Sequence, residues 1–351
     1  VPHLGKSAKE VYVFQRTPSG VSYRGDRPTD TEWAASLKPG WQRERMDNMT
    51  NLLSGLPVKV DLVDDGWTQP VWDMMHSMSP DATDEERAEQ MQLADYRAME
   101  IARRRVDETV KDKETAEALK PWYNRMCKRP CFHDDYLPAF NRPNVHLVDT
   151  MGHGVDEITA DSIIVGDNKY KIDCLIFATG FDLSAYSGRE TMPVYGRGGL
   201  ELSEKWKEGA LTLHGMTVDD FPNLFILSTT QSAWGPNFPH MMDEQAIHIA
   251  YIISEVENRK AKTVEATSQA VNTWVRHHEN LAPIVMDRWT KGCPPSFWNE
   301  EGQANASTLR NGPYGHGVPA MVAILQQWRA KGDLEGILLD GKPVRQAETT
   351  V

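Results

Sequence analysis

Three stretches predict an α/β protein of the dinucleotide-binding, Rossmann-like kind. A helical segment runs into the β-branched and aromatic run Val11-Tyr12-Val13-Phe14. A long charged helix interrupts the chain, and a β-rich segment closes on Ala178-Thr179-Gly180. At 351 residues the chain has room for two or three domains. Its 40% hydrophobic and 25% charged residues are those of an ordinary globular protein. A net charge of −12 argues against a nucleic-acid groove, and no apolar run approaches membrane-spanning length. Cys127, Cys131, Cys174 and Cys293 fit a reducing, cytoplasmic compartment with no disulfide framework. The opening at Val1, already in mid-motif, points to part of a longer protein.

Taken in order, residues 3–9 read as the end of a helix, with Gly5 as its weak point, and 11–14 as a strand closed by Gln15-Arg16-Thr17-Pro18. Helix, strand and polar tip form the second half of a βαβ unit. At such a tip an acid holds the ribose of NAD, whereas an arginine takes the 2′-phosphate of NADP. Arg16, with the Thr17 hydroxyl beside it, therefore predicts NADP, because a guanidinium meets phosphate bidentately. The competing reading is an exposed arginine in a turn. Residues 19–78 are irregular and rich in Pro, Gly, Trp and Met, and their tryptophans read as packing anchors.

Thr83 and Glu86 form a capping box for a helix reaching about residue 110, whose alternating charges, Glu100 with Arg104 among them, suit a solvated face. A shorter helix covers 113–122, so 31–120 reads as a helical insertion. Lys128-Arg129-Pro130 follows it. The proline holds the backbone extended and lets two adjacent cations face two ligand groups, while the plain alternative is a solvated basic turn. Cys127 and Cys131 beside it read as small packing residues.

Short strands are predicted at 144–149, 157–159, 162–165 and 171–177, the last a buried apolar strand delivering Ala178-Thr179-Gly180-Phe181-Asp182. Small residues at the C-terminal end of such a strand let a cofactor approach closely, and a tight turn explains them equally well. Residues 223–227 read as another buried strand, followed by a polar loop and a helix over 241–258. Gln231, Trp234 and Asn237 are candidates for a cofactor wall there, with ordinary packing as the alternative. Further helices are expected at 267–278 and 318–331, the latter ending at Gly332. The pair His277-His278 reads as surface. His146, Asp149 and His153 match no zinc spacing, and no G-x-S-x-G elbow supports a serine hydrolase.

The sequence resembles the Baeyer–Villiger monooxygenases through Gln15-Arg16-Thr17-Pro18, Lys128-Arg129-Pro130 with Phe140-Asn141-Arg142, and Ala178-Thr179-Gly180-Phe181-Asp182. The resemblance runs on through Phe221-Pro222-Asn223-Leu224-Phe225 and Asn237-Phe238-Pro239. The ending from Cys293 to Gly302 looks like the branch that takes bulky or macrocyclic ketones. It implies an FAD- and NADPH-dependent enzyme using dioxygen to insert oxygen beside a ketone carbonyl, giving an ester or lactone. Arg129 would then be catalytic, Lys128 would share the NADP 2′-phosphate with Arg16, and Ala178 to Asp182 would lie where the two dinucleotide domains join.

It also implies two Rossmann-like domains, both incomplete. Residues 1–30 and 121–182 would be the remainder of the NADP domain, and 183–351 the C-terminal half of the FAD domain with an extension. The family's first flavin-binding glycine loop and the NADP-loop glycines would precede Val1, so these residues alone are expected to be inactive. A flavin enzyme oxidising nitrogen or sulfur, and a non-catalytic truncated paralogue, are the alternatives.

Overall fold

The computed structural model describes residues 1–77, 83–180, 192–290, 292–303 and 305–344, and it mixes helices with short strands. Two compact units divide the chain. The first holds Val1–Leu37, Asp64–Phe181 and Gly292–Pro294; the second holds Lys38–Val63, Asp182–Lys291 and Pro295–Val351. This division runs through the expected insertion at 31–120.

In the first unit, helix α1 (Pro2–Ser7) leads into β1 (Val11–Gln15), which pairs in parallel with β4 (Val145–Asp149) from Val11↔Val145 to Gln15↔Asp149. The supposed weak point in α1 has a reason. A Cβ on Gly5 would stand 2.8 Å from a Val145 methyl, so only glycine lets the helix lie on the strand. A second parallel pair joins β2 (Val21–Ser22) to β3 (Cys131–Phe132). The antiparallel trio β5 (Glu157–Ile158), β6 (Ser162–Val165) and β7 (Asn168–Lys171) turns between β6 and β7 at Gly166-Asp167, with Gly166 at φ +57°.

Helices α2 (Thr31–Ser36), α4 (Gln69–Ser77), α5 (Asp84–Thr109), α6 (Lys113–Ala118) and α7 (Tyr136–Ala139) complete this unit. Its core joins Val106 and Val110 of α5 to Leu119, Leu137, Phe140, Val11 and Val145. The expected capping box of α5 is present: Thr83 N–H donates to Glu86 at 2.7 Å and Glu86 N–H to Thr83 Oγ1 at 3.2 Å.

The second unit contains α3 (Trp41–Leu53), α8 (Leu202–Lys205), α9 (Phe238–Asn258), α10 (Ser268–Thr290), α11 (Ala306–Asn311) and α12 (Gly317–Lys331). An antiparallel sheet ordered β10 (Lys342–Pro343), β9 (Ile337–Leu339), β8 (Val264–Ala266) closes it. Met241 and Ile252 of α9, Trp274 of α10, and Met321 and Leu325 of α12 interlock in its core. Gly332 ends α12 in the left-handed conformation at φ +70°, as its sequence predicts.

Several expectations fail for physical reasons. Residues 172–177 form no strand: the Ile172 N–H donates to the Asp161 carbonyl at 2.9 Å, but no described strand lies beside 173–177, and Ile176 and Phe177 are 61% and 71% exposed. Likewise 223–227 makes only the single bridge Thr217↔Phe225, and Leu227 is exposed. The stretch 19–78, read as irregular, forms α2, α3 and α4. The face of α5 is not wholly solvated, because Arg105 is buried, and Glu100 pairs with Arg103 rather than Arg104. Trp33 is exposed rather than an anchor, and His278 is buried, sharing a 3.0 Å hydrogen bond with the Gly312 carbonyl.

The disulfide-free expectation fails as well. Cys127 and Cys293 form a disulfide, and the remaining cysteines, Cys131 and Cys174, are exposed thiols. Two cysteines 166 residues apart give no spacing from which a pairing could be read.

Candidate cofactor and catalytic site

In the first unit the parallel pair β2–β3 brings together two of the segments singled out from sequence. Gly20 closes the loop that carries Arg16 and Thr17, and its carbonyl accepts from Cys131 N–H at 3.0 Å. Arg16 to Gly20 therefore leads into β2 beside Lys128 to Pro130, which leads into β3, with Val21 opposite Cys131. Arg16 sits directly after the C-terminal residue of β1, is exposed, and lies next to the end of β4. Sheets of this kind place ligands beyond the carboxyl ends of their strands. Thr17 and Lys128 are half-buried, and Arg129 is exposed.

Buried polar contacts fix the backbone of both segments. Tyr123 donates its hydroxyl to the Pro18 carbonyl at 2.6 Å, and burial pushes its phenol pKa up, so it stays a donor across the physiological range. Arg105 donates to the carbonyls of Val21 at 3.0 Å and His133 at 2.9 Å, clamping β2 to the end of β3, and its guanidinium lies 3.7 Å from the Tyr23 ring centre. Ahead of the cations, Arg125 N–H meets both Asp95 oxygens at 3.1 Å. Burial raises the Asp95 pKa, while that N–H and the Arg125 charge pull it part of the way back. Arg125 also donates to the Gly66 carbonyl at 2.9 Å. Sequence reasoning missed Tyr123, Arg105 and Asp95, since each looks like an ordinary residue of a helix or loop.

Ala178, Thr179 and Gly180 lie in the same unit but not at a strand end. All three are exposed in irregular backbone, with Gly180 at φ +90°. Phe181 and Asp182 fall outside the described residues, as does the loop around Gly188.

The three remaining candidates belong to the second unit, where Trp234 is half-buried. Gln231 is fully buried, and its amide is consumed by its own chain. Its Oε1 accepts from the Thr212 hydroxyl at 2.6 Å, and its Nε2 donates to the Ala210 carbonyl at 2.6 Å. It is a structural brace holding a turn at φ +52°, not a free ligand group. Asn237, half-buried at the start of α9, donates to Met46 of α3 at 3.3 Å. Among the described residues no cluster of His, Cys, Asp or Glu could hold a metal, and no helix is long and apolar enough to cross a membrane.

The loop carrying Arg16 and the one carrying Lys128 and Arg129 thus enter one parallel strand pair of a chain that mixes helices with short strands, and the comparisons with known proteins bear on this arrangement. No protein-family model matches the sequence. Neopentalenolactone D synthase of Streptomyces avermitilis is 46% identical over 345 residues, which are 97% of this chain and 58% of that protein. Baeyer–Villiger monooxygenase ATR8 of Stachybotrys chlorohalonatus is 45% identical over 346 residues, 97% of this chain and 55% of that one. The solved polycyclic ketone monooxygenase of Thermothelomyces thermophila superposes with a TM-score of 0.85 at 39% identity, covering 96% of this chain and 56% of that structure. Over nearly its whole length the chain is similar to Baeyer–Villiger monooxygenases, and it spans little more than half the length of the relatives it matches.

Proposed function

We propose that these residues form the C-terminal part of an NADPH- and dioxygen-dependent FAD monooxygenase that inserts one oxygen beside a ketone carbonyl, giving an ester or lactone. The first unit serves NADP and the second FAD, as the remainders of two Rossmann-like domains. The observation that carries the reading is the pairing of Arg16 to Gly20 with Lys128 to Pro130 through β2 and β3, in a chain 46% identical to a family relative. That donor set fits the group it would hold, since a guanidinium and an ammonium on adjoining loops suit a ribose phosphate.

When bound, the flavin and nicotinamide supply the electrons and the activated oxygen. The chain's own part is electrostatic. Arg16 and Lys128 hold the 2′-phosphate, and Arg129 presents a cation to the oxyanion that develops at the substrate carbonyl. A guanidinium stays charged when water is excluded, and such stabilisation is usually the largest single contribution in sites of this kind.

The test uses the full-length enzyme containing this chain, with NADPH, oxygen and a bulky ketone. Ester or lactone should form; recovery of only alcohol or unchanged ketone overturns the reading. Arg129→Ala should lower oxygen insertion by about a hundredfold or more while flavin reduction by NADPH continues. Lys128→Ala should mainly raise KM for NADPH relative to NADH.

A further inference from the structure

Resting on the role proposed for Arg129, we infer that the Cys127–Cys293 disulfide is a covalent positioning device that sets the backbone carrying Lys128 and Arg129, and that its reduction releases them. The two cations stand between two anchors. On the far side Cys131 is hydrogen-bonded to Gly20 and paired into β3. On the near side the turn Arg125–Cys127 is held by Asp95 through Arg125 N–H, and it ends on Cys127, whose residue is 1% exposed and bonded to Cys293.

Only Lys128, Arg129 and Pro130 separate that bond from the first residue of β3. A proline already restricts one side of Arg129, so the crosslink fixes the other. The segment Gly292–Pro294, which carries Cys293, groups with the first unit, as Cys127 does. Nothing in the spacing of a phosphate- or flavin-binding fold calls for a disulfide here. Cys131, the exposed thiol four residues on, is a poor rival for Cys293, because its Sγ–H donates to the Arg129 carbonyl at 3.6 Å.

The chemistry balances with a cyclisable dithiol as reductant. Two electrons and two protons pass to the protein, the Sγ–Sγ bond breaks, and the dithiol leaves as its own cyclic disulfide while Cys127 and Cys293 become thiols. Cys127 and Cys293 are thus positioning residues: they touch no substrate and act through Arg129.

The experiment takes the flavin-loaded full-length enzyme in three forms: unreduced, reduced with dithiothreitol, and carrying Cys293→Ser. Peptide mass spectrometry of the unreduced form should recover Cys127 linked to Cys293. In the other two forms the hydrogen-bonded amides of Cys127 and Cys131 should exchange roughly tenfold faster or more, while those of β1 and β4 stay protected. Ketone oxygenation should fall on the order of tenfold while flavin reduction at saturating NADPH stays nearly unchanged and KM for NADPH rises, and reoxidation of the reduced wild type should reverse both changes. Cys131→Ser should leave the exchange pattern as it is. Free thiols at both positions in never-reduced protein, or equal exchange in all three forms, overturns the inference. An enzyme that oxygenates no ketone in any form sinks the proposed function instead, and the exchange measurements still decide on the tether.

Discussion

His214 shows at the residue scale how burial writes a pH dependence into the second unit. Its ring is enclosed by Trp274 at 4.9 Å, His248 at 5.6 Å and Trp328 at 5.9 Å between centroids, and burial lowers its pKa to about 4. His248 is lowered to about 3, first by burial and then by the charges of His214 and Arg329. Both pKa values are depressed on folding, so their contribution to stability is complete above the ordinary value of 6.5 and is lost as pH falls toward 4 and then 3. For His214 alone the loss is on the order of 3 kcal/mol. Urea denaturation between pH 7.5 and 5 should show stability falling steeply with acid. His214→Asn should reduce that slope by removing one titrating group, with His248, His240 and His278, all lowered by burial, keeping the remainder, and asparagine tolerates the backbone at this position, φ +56°. A slope unchanged in the variant would assign the acid sensitivity to other groups. The sequence hid this pair completely, because a histidine in a loop and another on a helix carry no periodicity that declares them buried together.

At the scale of elements, α3 and α9 are joined by a charge cluster whose centre is inside the protein. The Glu244 side chain of α9 is 2% exposed and is ion-paired with Arg43 of α3, while Arg329 of α12 stands 3.7 Å from its other oxygen. Removing one partner of a buried pair leaves an uncompensated charge, typically at about 3–5 kcal/mol. Arg43 is 38% exposed and Arg329 remains nearby, so Arg43→Ala should cost less, about 2 kcal/mol. An unchanged urea midpoint would mean that Arg329 alone satisfies the carboxylate. Elements of this kind were legible only where they carry local signals. The β-branched run of β1, the Thr83–Glu86 cap of α5 and the Gly332 stop of α12 could all be read directly, whereas α3 lies in a stretch with no clean apolar period. Residues 172–177 are the converse case. Their composition is that of a strand, but a strand is completed by neighbours, and composition cannot supply them. The candidate site divides in the same way: Arg16 and Lys128-Arg129-Pro130 stand out in the sequence by their charge. The β2–β3 pairing that brings their loops together, and the disulfide beside them, are long-range facts.

For the whole molecule, the exposed apolar residues locate what these 351 residues do not satisfy by themselves. Ile176 and Phe177 in the first unit and Leu227 in the second are exposed, and each lies in a run whose composition asks for strand neighbours on both sides. Unpaired strand-like backbone carrying large apolar side chains is an aggregation hazard in water, and it costs the burial that would stabilise a cofactor-binding sheet. If the flavin depends on that sheet being complete, the 351 residues alone should purify without FAD, bind an apolar dye, and show rapid amide exchange from 173 to 180. Extending the chain to the length of its relatives should bring flavin absorbance, loss of dye binding and protection of those amides together, because one set of strand pairings produces all three. Flavin co-purifying stoichiometrically with the 351 residues alone would overturn this reasoning, since the exposed runs would then be loops in their final state.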